Sequence, residues 1–306
     1  MEAIEATNLQ YQHELESRKP DGRSPSSEAT RVIARCQTWD TTAVTRAFLI
    51  ALLLPLGVLT GTEARGYDPA ALVASAKGDL PLILTVPHDG GKFIGFVAAR
   101  GTGTSLRDSG TRALAERTAR FIEQRTGRRP YLVVAEFSRK FADANRAEQE
   151  AVESPDALPA YRAYHDQIAA FIAEIRSRFP AGALLIDVHG QGAQPDTIFR
   201  GTRAGLTTRR LLARFGRPAL QGETSIIGGL AAKGYVVNPT VDAESLREDS
   251  RFSGGHTVFT YGSNRSGGID AVQLEFGSQL RAKPELAEHL AEALVTFMTQ
   301  HDMLPR

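Results

Sequence analysis

Two histidines stand where apolar segments of the sequence end. His88 follows the run Leu82–Val86, and His189 follows the run Ala183–Val188. A glycine comes within two residues of each histidine, and glycine lets the backbone approach a bound ion or substrate closely. Imidazole nitrogens are common ligands of catalytic zinc. The pair therefore predicts a metal centre that contains His88 and His189.

The third ligand should be a carboxylate, because a catalytic zinc takes three protein ligands and keeps one position open. We prefer Asp108, since it begins a predicted helix that must return over the sheet close to His88. Asp89 is the second candidate, although its side chain should diverge from that of His88 on an extended backbone. A plain N-cap is the alternative role for Asp108, because capping and ligation use the same oxygens.

Glu275 is the candidate general base. It interrupts the apolar segment Ala271–Phe276, where a carboxylate without a partner would be costly. Beside a metal-activated water, the same position lets a glutamate accept the proton of the water and deliver it to a leaving amine. A buried pair with an arginine is the alternative.

A polar cluster follows the apolar segment Tyr131–Ala135. It contains Arg139, Asn145 and Arg146, together with Asp143. Fixed guanidinium groups can polarise a carbonyl or bind a carboxylate through two hydrogen bonds. We predict that Arg139 is catalytic and that Asn145 and Arg146 bind substrate; an exposed basic patch is the alternative.

Three further residues have weaker signals. Asp187 stands two residues before His189 and could orient a metal ligand, or it could serve as a cap or in a buried salt bridge. His256, after two glycines, and Tyr261 are predicted near the mouth of the site, where either could contact substrate. A solvated loop is the alternative for both.

The elements that must position these residues alternate between strands and helices. Strands are predicted at Leu82–Val86, Tyr131–Ala135, Ala183–Val188, Tyr235–Val237 and Ala271–Phe276, and helices at Asp108–Arg125, Ala157–Arg178, Leu206–Phe215 and Pro284–Thr299. This order predicts an α/β fold, a three-layer α/β/α sandwich with a mixed, mostly parallel sheet. Ligands of such sheets bind outside the carboxyl ends of the strands, where the polar residues fall.

Bulk properties limit the function classes. With 42% hydrophobic and 23% charged residues, the 306-residue chain has an ordinary globular composition. The formal net charge of +1 gives no basic field for nucleic acid. The single cysteine, Cys36, precedes the predicted catalytic region, which excludes cysteine nucleophiles and cysteine-ligated zinc from that region.

The beginning of the chain differs from the rest. Residues 1–45 are polar and predicted to be disordered or, if the true start lies near Val44, a mis-assigned extension. Residues 46–64 resemble a signal peptide, which predicts an exported, periplasmic or secreted protein, or a membrane-anchored one if the segment is not cleaved. A buried helix is the third possibility for this segment. Residues 65–306 are predicted to form one hydrolase domain.

Five motifs occur in an order that resembles the N-formylglutamate amidohydrolase family. They lie between about Leu80 and Leu280, and the set is specific although no single motif is. The motifs are Val86-Pro87-His88-Asp89-Gly90-Gly91, Ser138-Arg139-Lys140-Phe141-Ala142-Asp143-Ala144-Asn145-Arg146, Leu185-Ile186-Asp187-Val188-His189-Gly190, Phe252-Ser253-Gly254-Gly255 and Val272-Gln273-Leu274-Glu275.

The resemblance implies a fold and site like those of aspartoacylases and zinc carboxypeptidases. It implies zinc held by His88, an acidic residue and His189, with Glu275 as base. Arg139 would polarise the carbonyl, and Asn145-Arg146 would hold the substrate carboxylate. The sequence departs from the wider group because Gly91 stands three residues after His88, where the carboxypeptidase-like spacing has glutamate.

The expected function is zinc-dependent hydrolysis of an N-acyl amino acid or small peptide that carries a carboxylate. Asp89, where the family is expected to have serine or glycine, and the apparent export signal point to substrates other than formylglutamate. One alternative is an exported zinc carboxypeptidase or cell-wall peptide hydrolase. A non-catalytic binding protein of the cell envelope is the alternative from another class.

Overall fold

The computed structural model describes residues 66–304. The segments 1–45 and 46–64, and with them Cys36 and the predictions about export, lie outside the described residues. Between residues 66 and 304, no helix is both long enough and apolar enough to cross a membrane.

The centre of the fold is a seven-stranded sheet with the order β1-β3-β2-β4-β7-β5-β6. The strands are β1 (Val73–Ala76), β2 (Leu82–Val86), β3 (Tyr131–Ala135), β4 (Leu184–Gln191), β5 (Thr197–Gly201), β6 (Val236–Asn238) and β7 (Asp270–Gly277). The four central strands β3, β2, β4 and β7 are parallel. The strands β1 and β5 pair antiparallel with β3 and β7, so the predicted mixed, mostly parallel sheet is confirmed.

Helices cover both faces of the sheet and complete the predicted three layers. They are α1 (Thr111–Thr126), α2 (Glu148–Ala151), α3 (Leu158–Arg178), α4 (Arg209–Phe215), α5 (Ile226–Ala232), α6 (His256–Tyr261), α7 (Ser278–Arg281) and α8 (Leu286–Gln300). One apolar core lies between the sheet and α1, α5 and α8. A second core lies between the other face of the sheet and α3.

The face of the sheet that packs on α3 changes character along its central strands. Near their beginnings, β2, β4 and β7 place Ile83, Leu185 and Ala271 in the second core. Because side chains alternate between faces, the next residues on that face are Thr85, Asp187, His189, Gln273 and Glu275, all of them buried. The polar site is therefore a continuation of an apolar sheet face at the carboxyl ends of the strands.

Two predicted elements differ from the structure in an informative way, and two strands were not predicted. The strand β4 continues to Gln191 rather than ending at Val188, because it pairs with β7 over its whole length, including His189 with Glu275. The helix α1 begins at Thr111, three residues after Asp108. The strands β1 and β5 were not predicted.

Candidate metal centre

Three side chains from separate segments converge at the carboxyl end of the sheet. His88 follows β2, Asp108 precedes α1, and His189 lies in β4. One ligand atom from each lies within 4.8 Å of the others. Asp108 Oδ2 is 3.3 Å from His88 Nδ1 and 3.4 Å from His189 Nδ1. The structure thus brings together the three residues that we preferred as metal ligands.

A buried carboxylate stands behind each histidine. His88 Nε2 is 2.7 Å from Asp143 Oδ1, and His189 Nε2 is 2.8 Å from Asp187 Oδ2. Such partners fix the ring orientation and the tautomer of a metal-ligating histidine, because they accept a hydrogen bond from the N–H of the second ring nitrogen. Both Nδ1 atoms are thereby directed to the side of Asp108.

Charge couples these groups strongly. Burial disfavours the charged form of Asp108, but hydrogen bonds from His189 and His88 outweigh burial and hold the pKa of Asp108 well below its usual range. For His189, burial opposes protonation, yet the charge of Asp187 and the hydrogen bond with Asp108 raise its pKa well above the usual value. Asp108 and His189 therefore form a pair that favours a positive charge between them, which either a proton or a metal ion can supply.

Asp89 has a different role from the one that a ligand would need. Its Oδ2 accepts hydrogen bonds from the backbone N–H groups of Gly110 and Arg112, at 3.0 and 2.8 Å, and its Oδ1 accepts from Arg107 Nε at 2.7 Å. Asp89 therefore caps α1, the role that we had considered for Asp108. Asp108 is left free to face the histidines.

The glycines that follow the two histidines leave space for neighbouring segments of the chain. A Cβ on Gly190 would lie 2.5 Å from Arg281 Nη1, and a Cβ on Gly90 would lie 2.2 Å from the carbonyl oxygen of Phe137. We had interpreted these glycines as room for an ion or substrate. The structure shows that neighbouring segments of the chain occupy that space.

Glu275 lies next to the three converging groups. Its Oε1 is 3.9 Å from His189 Nδ1 and accepts a 2.8 Å hydrogen bond from Gln273 Nε2. Burial raises the pKa of Glu275, although the charge of His189 acts in the opposite direction. Within residues 66–304 no arginine lies within 4.0 Å of its carboxylate, so the alternative of a buried Glu–Arg pair does not apply there.

Arg139 lies across the site from β7. Its Nε and Nη2 each lie 2.9 Å from Asp143 Oδ2, and its Nη1 is 3.9 Å from Asp108 Oδ1. Burial raises the pKa of Asp143, but the charge and hydrogen bond of His88, followed by the charge of Arg139, hold it well below its usual range. One buried carboxylate thus orients both a histidine and an arginine of the predicted site.

Asn145 and Arg146 differ in how firmly they are held. The side-chain oxygen of Asn145 accepts from the backbone N–H of Thr257 at 2.8 Å, and its Nδ2 is 3.4 Å from Gln273 Oε1. The side chain of Arg146 is 54% exposed, and its Nε is 3.9 Å from Asp143. Asn145 therefore belongs to the rigid wall, whereas Arg146 has room to move towards a ligand.

An open cavity of about 730 Å³ gives access to these groups. Its walls include the three candidate ligands and Glu275, and also Arg139, Asn145, Arg146 and His256. Tyr261 does not line this cavity: its hydroxyl is 3.0 Å from His165 Nδ1 and donates to the carbonyl oxygen of His165 at 2.9 Å. The structure therefore brings His256 to the site, as expected, but places Tyr261 behind it.

His165 supports the segment that carries the polar cluster. Its Nε2 donates a 3.0 Å hydrogen bond to the carbonyl oxygen of Ala144. Burial, and then the charge of His256, lower the pKa of His165 from 6.5 to about 4. The imidazole is consequently neutral in the folded protein at pH 5, whereas in the unfolded chain it is protonated.

This difference predicts a pH-dependent loss of stability. Above pH 6.5 both states leave His165 neutral; as the pH falls towards 4, only the unfolded chain takes up the proton, so the folded state loses up to roughly 3 kcal/mol. In His165→Gln this contribution is absent, so the variant should lose less stability between pH 7 and 4.5. Urea unfolding of both proteins at several pH values measures it; parallel pH curves would contradict the prediction.

Several residues of the site gave no signal of their own in the sequence. Thr85 donates a 2.6 Å hydrogen bond to Asp187 Oδ1. Gln273 links Glu275 to the backbone N–H of Gly255, which lies 2.7 Å from its Oε1. Both face the α3 side in register with the site residues, so strand alternation could have found them once the strands were paired. Arg281, in contrast, lies four residues beyond the end of β7 and required the structure.

Comparisons with known proteins complete the description. No family model and no curated protein matches the sequence. The chain is similar in structure to N-formylglutamate amidohydrolase from Ralstonia eutropha JMP134, with a TM-score of 0.52 and 16% identity over 76% of this chain and 98% of that chain. It also matches a gene product from Agrobacterium tumefaciens, with a TM-score of 0.47 and 19% identity over 78% and 96% of the two chains. The sequence motifs resemble the family of the first of these proteins, and the structure shows that this chain has the fold of that N-formylglutamate amidohydrolase.

Proposed function

We propose that the chain is a zinc-dependent amidohydrolase that cleaves an N-acyl amino acid or a small peptide with a free carboxylate. The observation that carries the proposal is the convergence of His88, Asp108 and His189, with Glu275 beside them, in one open cavity. Supporting it are the shared fold with N-formylglutamate amidohydrolase and the motif resemblance in the sequence.

The donor set fits a zinc ion. Two imidazole nitrogens and one carboxylate oxygen are the ligands of many catalytic zinc sites, and both imidazoles carry a hydrogen-bonded carboxylate behind them. Among the described residues, His88, Asp108 and His189 are the group of three potential metal ligands whose ligand atoms lie within 4.8 Å of one another. Zinc bound there would act as a Lewis acid and would lower the pKa of a bound water towards neutral pH.

The chain supplies the proton transfers. Gln273 holds Glu275 Oε1 at 2.8 Å, which leaves Oε2 to accept a proton from the attacking water. Glu275 then delivers this proton to the nitrogen of the leaving amine as the C–N bond breaks. The raised pKa of Glu275 suits both steps, because a base with a pKa closer to neutrality also becomes an effective acid.

Arginines orient the substrate in this proposal. Arg139, held by Asp143, presents a fixed guanidinium to the carbonyl oxygen, where negative charge develops in the transition state. Arg146 has room to bind the substrate carboxylate beside Asn145. The cavity of about 730 Å³ accommodates an acylated amino acid and also a short peptide, so both belong in a test of the function.

Metal analysis combined with a hydrolysis screen tests the proposal. The protein is purified without chelator, and its zinc content is measured. It is then assayed on N-formyl, N-acetyl and N-succinyl amino acids and on short peptides, before and after zinc removal and restoration. We expect about one zinc per chain and amine release that depends on zinc.

Other outcomes separate the alternatives. Cleavage of longer peptides without cleavage of any N-acyl amino acid would indicate a carboxypeptidase or cell-wall peptide hydrolase. Protein that retains no zinc and hydrolyses none of these substrates, yet binds them, would indicate a binding protein and would overturn the proposed function.

A further inference from the structure

Arg281 ends the short helix α7 and folds back over the carboxyl ends of the two strands that carry His189 and Glu275. Its Nη1 donates to the carbonyl oxygen of Gln191 at 3.2 Å and also to that of Phe276. Its Nε donates to the carbonyl oxygen of Ser109 at 2.9 Å. One guanidinium thus reaches three separate segments of the chain.

Each of these carbonyl groups is next to a residue of the site. Ser109 follows Asp108, Phe276 follows Glu275, and Gln191 comes two residues after His189. The guanidinium therefore joins two candidate metal ligands to the candidate base through their backbones. Two of these segments, the ends of β4 and β7, are already paired in register from His189 and Glu275 to Gln191 and Gly277. The Ser109 segment is joined to β4 by the bond from the backbone N–H of Gly190 to Asp108 Oδ2 at 3.1 Å, and Arg281 adds a second link.

The position of Arg281 requires a glycine at position 190. A side chain at position 190 would collide with its guanidinium, since a Cβ there would lie 2.5 Å from Nη1 and 2.6 Å from Cζ. No carboxylate of the described residues lies within 4.0 Å of the guanidinium, so backbone carbonyl groups are its partners. Burial lowers the pKa of Arg281, while the charges of Asp108 and Glu275 act to raise it. A half-buried cation held in this way indicates a specific positional role.

We propose that Arg281 is a positioning residue that sets the distance between Asp108 and the paired ends of β4 and β7, which carry His189 and Glu275. This inference rests on the proposed function for its kinetic part. Displacement of a catalytic group by about 1 Å can lower a rate by about 100-fold. Loss of Arg281 should therefore act mainly on kcat, because the residue does not line the cavity.

The test compares Arg281→Met and Arg281→Ala with Arg117→Met. Arg117 is a matched control, because it also donates to a backbone carbonyl, that of Pro284, but outside the site. We expect kcat to fall by about 100-fold in both Arg281 variants, with KM nearly unchanged, and zinc affinity, measured by competition with a chelating dye, to fall by about 10-fold. Methylguanidine, below denaturing concentration, should restore part of the kcat of Arg281→Ala. Arg117→Met should match the wild type.

Three outcomes would overturn the inference: an unchanged kcat and zinc affinity in folded Arg281→Met, equal losses in Arg117→Met, or a lowered Tm as the sole effect. Zinc affinity and Tm do not depend on knowing a substrate. If the wild type binds zinc but hydrolyses no amide, the proposed function fails while the effect of Arg281 on the metal centre is still measured.

Discussion

Glu275→Gln is expected to lower kcat by about 100- to 10,000-fold, the usual contribution of a positioned general base. The substitution keeps the shape of the side chain and can retain an oxygen for the bond from Gln273 Nε2. It removes the group that accepts and returns the proton. Zinc should remain bound, because Glu275 is not one of the three groups whose ligand atoms converge. Kinetics together with metal analysis of the purified variant measure both effects.

Glu150→Gln is the matched control for this prediction. Glu150 also lines the cavity, but it is exposed on α2 and carries no hydrogen bond to the site. The same change of charge and shape there should leave kcat within a few-fold of the wild type. Full activity of Glu275→Gln would contradict the mechanism, and equal losses in the two variants would indicate that the charge of the cavity matters rather than a proton transfer.

The sequence predicted much of the framework because the central strands are apolar runs with clear ends. Leu82–Val86 and Tyr131–Ala135 have the same bounds in the sequence prediction and in the structure. Gly127, two residues beyond the predicted helix Asp108–Arg125, ends α1 with a left-handed φ of 68°. Such signals are local, since burial on both faces and the special conformation of glycine act within a few residues.

The strand β5 was not predicted because it contains a buried charge whose partner is distant in sequence. It contains Arg200, which is buried and paired with Glu248 at 3.0 Å. A charged residue in the middle of a segment weakens an apolar pattern. The compensating carboxylate stands 48 residues later. Periodicity alone could not detect that compensation, and the antiparallel partner of β7 was therefore missed.

The candidate site divides in the same way. Residue type and position after a strand were enough to suggest His88, His189 and Glu275, because metal and proton chemistry restrict the side chains that can serve. The choice between Asp108 and Asp89 depended on which carboxylate caps α1. That depends on differences of a few ångströms in side-chain position, which the sequence does not specify. Tyr261 was expected near the mouth because it is close in sequence to His256. Five residues separate the two, however, and at 3.6 residues per turn this directs the tyrosine about 140° away from His256 around the helix, where its hydroxyl meets His165.

The third ligand can be tested by comparing Asp108→Asn with Asp89→Asn. Both substitutions remove one negative charge next to the same histidine and leave a side chain of the same shape. Asp108 Oδ2 lies 3.3 and 3.4 Å from the two Nδ1 atoms, so its change should weaken zinc binding by more than the 10- to 100-fold that is typical of residues behind a ligand. Asp89 caps α1 through oxygens that asparagine can partly replace. Asp89→Asn should therefore keep zinc affinity within about 10-fold of the wild type, a smaller loss than that of Asp108→Asn.

Competition with a chelating dye gives both zinc affinities, and the apo-protein Tm controls for folding. Asp108→Asn should unfold at a lower temperature than the wild type even without zinc, because His88 and His189 stabilise the ionised carboxylate in the folded state; the effect of zinc is therefore measured from the apo Tm of each protein. With zinc present, the wild type should gain stability in proportion to RT ln(1 + [Zn]/Kd), and Asp108→Asn should gain far less. If Asp89→Asn loses zinc while Asp108→Asn keeps it, the ligand set proposed for the centre is wrong, because the two carboxylates would have exchanged the roles that their hydrogen bonds assign to them.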